Sequence, residues 1–197
     1  PRRFCRSFWF SSLLCIQSPR YHCMMRDFNI YRPRVGNHLE VLFMRILVVS
    51  DTHRDEANLR RAILSQPTAE VVIHLGDGAD EALQMKDSFP EKMFLLVRGN
   101  CDWGSTLPNE GEINLCGKRI FYTHGYTYDV KYGLYNITRA ARERKADIVL
   151  FGHTHNELTD YEDGLYLMNP GSLHGSQGTY GIIDLTDAGV VTNILKI

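Results

Sequence analysis

Ile148-Val149-Leu150-Phe151-Gly152-His153-Thr154-His155 decides how the rest of this chain is read. Four apolar residues in a row have the pattern of a strand buried on both faces, and Gly152 ends it. Two histidines at i and i+2 then leave the strand end. On an extended backbone their imidazoles would share a face, and a turn at Gly152 can aim both into one crevice. Neutral imidazole is the commonest protein ligand for a transition metal. Taken alone, the pair fits two solvated loop histidines as well as it fits a metal site. The other strand ends have to separate the two.

Upstream, residues 46–50 form a similar apolar run and end in Asp51-Thr52-His53. The spacing of Leu59, Ala62 and Ile63 predicts a helix over 55–65, with Pro67 beyond its end. Residues 71–75 read as a strand ending in Gly76-Asp77, and 79–88 as a helix stopped before Pro90. A third strand over 93–97 runs into Arg98-Gly99-Asn100-Cys101-Asp102. Strand and helix alternating at this pitch predict βαβ units and a parallel sheet. The second half changes style. Residues 112–115 and 119–123 flank a hairpin turn at Cys116-Gly117-Lys118, and the second arm runs into His124-Gly125. A helix is expected over 134–145, before the 148–151 strand. Residues 158–161 with 165–168, and 180–185 with 190–197, read as antiparallel strands around Asp163-Gly164 and Asp187-Ala188-Gly189. The expectation is an α/β fold with two sheets, helices outside and ligands at strand ends.

Composition narrows the function classes. The chain has 197 residues, 44% hydrophobic and 23% charged, which is enough for one sizeable core. No apolar run approaches the roughly 18 residues of a membrane span, so no membrane partner is expected. Charge is uneven: residues 1–43 hold seven arginines against Asp27 and Glu40, whereas 44–197 carry fifteen basic and twenty-one acidic residues. An acidic body argues against nucleic acid as a stable partner. Five cysteines, an odd number without zinc-knuckle spacing, point to a reduced, cytoplasmic setting. Residues 1–43 lack clear periodicity, and their faint likeness to a signal peptide has no cleavage site after it. Leu39-Glu40-Val41-Leu42-Phe43 resembles the front of a protease linker. The leader, with His22 and His38, is therefore expected to be a non-native, upstream or disordered extension. A single domain over 44–197, opening at Met44, is expected to carry the function.

Five strand ends in that domain carry polar residues of one chemical kind: Asp51-x-His53, Asp77, Asn100, His124 and His153-x-His155. Carboxylates, imidazoles and one amide oxygen suit an ion such as manganese, iron, nickel or zinc. The lack of paired cysteines argues against a structural zinc site. One strand-end Asp is common by chance; five such ends are not.

Asp51-x-His53, Gly76-Asp77, Gly99-Asn100-x-Asp102, His124-Gly125 and Gly152-His153-x-His155 together resemble the signature of the calcineurin-like metallophosphoesterases, in order and spacing. The resemblance covers essentially all of 44–197. Small size, the Gly-Asn-Cys-Asp sequence and Asn169-Pro170-Gly171-Ser172 resemble the small YfcE-type phosphodiesterases within that family. It implies a four-layer α/β/β/α sandwich of two mixed sheets. It also implies two divalent ions, manganese foremost with iron, nickel or zinc compatible. Asp51, His53 and His155 would bind one; Asn100, His124 and His153 the other; Asp77 would bridge. The implied reaction is hydrolysis of a small phosphodiester by a hydroxide held between the ions. Two divalent ions set against Asp51, Asp77 and that hydroxide leave one net positive charge, which matches a phosphodiester monoanion. Phosphomonoesters and cyclic nucleotides are the alternative substrates. A non-catalytic protein-binding scaffold, such as the retromer subunit that resembles this fold, is the alternative class.

Some positions depart from the family pattern. Cys101 stands where relatives that cleave monoesters or cyclic nucleotides often carry a His, thought to protonate the leaving group. A thiol is a weak donor, so activated diesters are expected to be the better substrates. Asp102 could supply the proton instead or orient the Asn100 loop. Arg54 could contact the phosphate or be a solvated residue at a helix start, and His174 could touch substrate or be a loop residue. His74, inside a strand, reads as a satisfied core histidine and Cys116 as packing. Trp103, Tyr126 and Tyr128 could stack on a base or aromatic ester, or cover the rim. The C-terminal edge strand could pair with a second copy into a homodimer, though no residue demands it.

Overall fold

A computed structural model of the chain describes residues 43–197; the expectations for the leader fall outside them. Ten strands and three α-helices follow one another as β1 (Phe43–Val49), α1 (Glu56–Ser65), β2 (Ala69–His74), α2 (Ala79–Ser88), β3 (Met93–Leu96), β4 (Glu110–Leu115), β5 (Lys118–Thr123), α3 (Tyr135–Glu143), β6 (Ile148–Leu150), β7 (Glu157–Glu162), β8 (Leu165–Pro170), β9 (Thr179–Thr186) and β10 (Gly189–Lys196). They form two five-stranded sheets, ordered β10-β9-β1-β2-β3 and β4-β5-β6-β8-β7. β1, β2 and β3 run parallel; β9 pairs antiparallel with β1, and β10 pairs antiparallel with β9. In the second sheet β5, β6 and β8 are parallel, with β4 and β7 antiparallel at the edges.

Alternation along the central strands explains the layering. Ile46 and Val48 of β1, with Val71 and Ile73 of β2, face Ile120, Ile148, Leu150 and Met168 across the sheet–sheet interface. Leu47 and Val49 point the other way, onto Leu59, Ile63 and Met85 of α1 and α2. On the far side, Phe121, Val149 and Leu167 pack against Ile137, Ala140 and Ala141 of α3. Period-two alternation with both faces apolar is why these strands read as unbroken hydrophobic runs. Four layers result: helices, sheet, sheet, helix.

The two hairpins read as antiparallel in the second half are so, β7 with β8 and β9 with β10. The crossover through α3 makes β6 parallel to β5, and β8 then joins β6 in parallel as well. β9 does not stay with its sequence neighbours; it crosses to the first sheet and pairs with β1. A parallel pair needs a crossover connection between its strands; α3 supplies it between β5 and β6, and the segment carrying β7 supplies it between β6 and β8. The two tight turns behave as their sequences require. Cys116-Gly117 and Asp163-Gly164 both have positive φ at both central residues, the backbone that a two-residue hairpin demands.

The parallel register aligns the ends that matter. Val49 sits beside His74 and His74 beside Leu96, so β1, β2 and β3 finish level. In the second sheet Tyr122, Leu150 and Met168 are likewise abreast. The ends meet across the sandwich: the His124 ring faces the Leu75 carbonyl, and the His153 N–H reaches the Asp51 carboxylate.

Candidate metal centre

The connections that leave β1 and β2 are clamped together by backbone bonds, and the longer one after β3 is fastened to them through the Asp77 and Asp102 carboxylates. Asp51 N–H donates to Gly76 O (3.0 Å) and His53 N–H to Asp77 O (2.9 Å). The connections turn sharply. Asp51, His53, Arg54, Asp77, His153 and His155 all have φ between +44° and +71°, a region where L-residues other than Asn, Asp and His are scarce. Such strain persists only where the surroundings over-determine it, and it concentrates at functional sites. Two glycines let the loops approach so closely. A Cβ on Gly152 would stand 1.9 Å from Ser50 Oγ, and one on Gly99 would stand 2.1 Å from Asp77 Oδ1.

Asp51 is fully buried, and its two oxygens do different work. Oδ2 accepts from Ser50 Oγ (2.5 Å) and from His153 N–H (3.0 Å). Oδ1 accepts no hydrogen bond at all, although His155 Nε2 lies 3.1 Å and His53 Nε2 3.9 Å from it. The His155 contact is close without hydrogen-bond alignment, and the two Nε2 atoms are themselves 3.2 Å apart. A buried, unsatisfied carboxylate oxygen beside two converging imidazole nitrogens is costly unless a cation takes all three. The donor set therefore fits a divalent ion.

A second group forms beside it. Asp77 Oδ1 accepts from Cys101 N–H (2.7 Å), while Oδ2 lies 3.4 Å from His124 Nε2. The Nδ1 side of His124 meets the Leu75 carbonyl at 2.8 Å. A carbonyl can only accept, so Nδ1 carries the proton and the Nε2 lone pair is left facing the group. Asn100 Oδ1 is 3.1 Å from that same Nε2. The ligand atoms of Asp51, His53 and His155 fall within one 4.8 Å cluster, and those of Asp77, His124 and His153 within another. A third such cluster, His53 with Asp77 and Cys101, spans the two. His155 and His153 thus belong to different groups.

Electrostatics follow from this crowding. Burial opposes the charge on Asp51, yet His155, His124 and Ser50 outweigh it and hold the carboxyl below its usual range. Asp77 is also opposed by burial, and His124 and the Cys101 N–H hold it well below that range. Burial likewise opposes the charge on His124, but Asp77 and Asp51 raise it; His155 is raised chiefly by Asp51. His153 is lowered by burial, with His124 and Lys131, against the weaker pull of Asp51 and Asp77. Burial and the adjacent Asp77 push the Cys101 thiol up to about 11.

Asp102 sits at the hub of the loops. It accepts from the N–H groups of Asp77, Gly78, Ala79 and Gly99 at 2.7–2.9 Å. Its oxygens are occupied in fastening the Asn100 loop to the start of α2. His74 is buried with both ring nitrogens engaged: Nδ1 takes the Gly76 N–H and Nε2 meets Thr52 Oγ1 at 3.1 Å. Arg54 is exposed beside the cleft, and His174 stands edge-on to His53 with ring centroids 6.3 Å apart.

The residue-level reading passed over the braces. Glu81, buried in α2, accepts from Thr52 Oγ1 and from Arg54 N–H, both at 2.7 Å. Asn169 donates to Gly152 O and Thr154 Oγ1, and Ser172 Oγ donates to Asp51 O at 2.8 Å. The positive charge of Lys131 adds to the lowering of His153 and works against the rise of His155. Only the Asn-Pro-Gly-Ser run gave any signal in the sequence. Glu81 looks like any polar residue near a helix start.

Known proteins resemble this chain in sequence and in fold. Residues 44–188 match the calcineurin-like phosphoesterase superfamily domain. A probable metallophosphoesterase of Bacillus subtilis, YsnB, is 32% identical over 66% of this chain and 75% of its own length. The phosphodiesterase YfcE of Escherichia coli is 26% identical over 72% of this chain and 88% of its own. Among solved structures, a predicted phosphoesterase from Streptococcus pneumoniae superposes with a TM-score of 0.68 at 25% identity, covering 79% of this chain and 90% of the other. Vacuolar protein sorting 29 from Cryptosporidium parvum shares the fold, with a TM-score of 0.64 at 16% identity over 79% and 98% of the two chains.

Proposed function

Because the chain belongs to the calcineurin-like phosphoesterase superfamily, we propose that it is a phosphodiesterase working with a pair of divalent metal ions, manganese foremost. Asp51, His53 and His155 would hold one ion, and Asn100, His124 and His153 the other, with Asp77 between them. The observation that carries this reading is the unsatisfied Asp51 Oδ1 facing two imidazole nitrogens beside a second, similar group. Bound there, the ions supply an acidified water as nucleophile and a positive clamp for the phosphoryl oxygens.

The chain's own residues do the remaining work. Ser50 and the His153 N–H hold the Asp51 carboxylate in one orientation, and the Leu75 carbonyl fixes the His124 tautomer. Arg54 and Lys131 add positive charge for an anionic substrate. Asp102 is a positioning residue, since its oxygens are engaged by four N–H groups. Cys101 lies beside Asp77, and a thiol raised to about 11 gives up its proton poorly. Diesters with acidic leaving groups are therefore the expected class, ahead of monoesters and cyclic nucleotides. Free thiols at Cys101 and Cys116 support the cytoplasm as its compartment. β10, at a sheet edge, leaves a homodimer open.

The likeness to vacuolar protein sorting 29 raises a non-catalytic, protein-binding reading. The complete set of seven ligand-type residues favours the enzyme. The test is hydrolysis of bis-p-nitrophenyl phosphate with added Mn²⁺ and again with chelator. Turnover that needs the metal and falls at least a hundredfold in Asp77→Asn is expected. Wild-type protein that neither turns over nor takes up metal after stripping and reloading would leave the scaffold reading standing.

A further inference from the structure

The three aromatic residues near the centre are not equivalent. Tyr128 is committed to packing, its ring edge-on to Phe121 and its hydroxyl on Glu110. Tyr126 donates its hydroxyl to Asn109. Trp103 is 92% exposed, yet its backbone is fixed: its N–H donates to Cys101 O, and Ser105 N–H closes the turn on Asp102 O. The loop is held while the indole keeps its faces free.

Trp103 flanks a cleft of about 300 Å³ that begins at His53, Asp77 and Cys101 and runs over the first turn of α2. A helix start would ordinarily draw an anion. Here the N–H groups of Gly78 and Ala79 already donate to Asp102, and the Arg54 N–H donates to Glu81. Asp80, Glu81 and Asp102 make the lining acidic, with Arg54 the cation among the lining residues. Such a cleft disfavours a second phosphate and suits a neutral, flat group that can lie on an indole.

We propose that this cleft is the subsite for a neutral aromatic ester arm, aryl or nucleoside, of the phosphodiester, with Trp103 as its stacking face. The inference rests on the phosphodiesterase reading above and deepens it. An arm in the cleft would stack on Trp103 while its phosphate lies beside Asp77 and Cys101, where the cleft begins. Stacking on one indole corresponds to about a five- to tenfold difference in affinity.

The test uses the full-length, Mn²⁺-loaded protein and its Trp103→Ala and Trp103→Phe variants. Calorimetry with phenyl methyl phosphate and with dimethyl phosphate gives binding without reliance on turnover, and KM for bis-p-nitrophenyl phosphate is measured alongside. In Trp103→Ala the phenyl ester should weaken about five- to tenfold and KM should rise in step. Dimethyl phosphate should bind as to wild type, and Trp103→Phe should recover most of the loss. An unchanged phenyl-over-methyl preference in Trp103→Ala overturns the subsite; so does an equal loss for both esters. If wild type turns nothing over, the phosphodiesterase reading fails, while the preference measured by calorimetry still decides the cleft.

Discussion

Glu81 is a buried carboxylate with no cation among the partners of its Oε1, which instead takes the Thr52 hydroxyl and the Arg54 N–H. These bonds hold the chain where His53 and Arg54 sit at φ +44° and +71° in succession. Glu81→Ala leaves the Arg54 N–H without its acceptor and the Thr52 hydroxyl with only the long contact to Asp77 O, a loss of about 2–3 kcal/mol, and releases the His53 turn. Glu81→Gln keeps a carbonyl oxygen at the same place and should cost under about 1 kcal/mol. Urea unfolding of the three proteins measures both figures. Equal losses in Ala and Gln would show that the charge, and not the acceptor, is what matters at this position. The same distinction applies at Asp102, where four N–H groups converge on one side chain. The sequence offered Asp102 as a proton donor or as an anchor, and the choice lies in those four contacts.

At the scale of the element, β2 carries an ionisable group into the core. Burial is the largest influence on His74 and keeps its pKa below the ordinary value of 6.5, although Glu81, Asp102 and Asp51 pull the other way. The unfolded chain then takes up the proton first, so it binds more protons than the folded protein below pH 6.5. Stability from this residue is present above pH 6.5 and falls as the pH drops, by at most about 1.4 kcal/mol per unit. Unfolding midpoints at pH 7.5, 6.5 and 5.5 should show the decline, and His74→Gln should flatten it whatever that change costs at pH 7.5. A slope identical in both proteins would assign the acid sensitivity elsewhere. The helices and hairpins were legible along the chain because their signals are local. Asp55 caps α1 through the Asn58 N–H, and the Cys116-Gly117 turn needs positive φ. The parallel placement of β6 and β8 was not legible. Three- to six-residue apolar strands carry no mark of their neighbour's direction; α3 decides it between β5 and β6, and the crossover through β7 decides it between β6 and β8.

For the whole molecule, the two sheets share the candidate centre. Asp51, His53, Asp77 and Asn100 follow strands of the first sheet; His124, His153 and His155 follow strands of the second. Each group draws on both sheets, so ions bound there would tie the two together. Mn²⁺ at a hundred times its dissociation constant should stabilise the fold by about 2.7 kcal/mol, visible as a raised melting midpoint that Asp77→Asn loses. The same ions must displace protons. His155 is raised by Asp51, and His124, though opposed by burial, is raised by Asp77 and Asp51. In the metal-free protein these two contribute stability that is full below pH 6.5 and lost as the pH climbs through their raised values. Metal affinity should therefore strengthen from pH 6 to pH 8, with proton release detectable by calorimetry in buffers of different ionisation heat. Affinity that does not vary with pH would contradict the assignment of these imidazoles as ligands.

The sequence by itself determined the strand ends, the residue types on them and their order, and these were enough to mark the superfamily. Each is a short-range property: an apolar run, a glycine, then a carboxylate or an imidazole. The tertiary structure decided which of those groups meet. Asp51 and His155 are more than a hundred residues apart, and their 3.1 Å approach depends on one sheet packing over the other. The same packing leaves Asp51 Oδ1 without a hydrogen-bond partner and sets Trp103 beside a cleft where the Gly78 and Ala79 N–H groups are already taken. Local periodicity records which face of a strand is apolar. It does not record what that face will be pressed against, and at this centre that contact sets the chemistry.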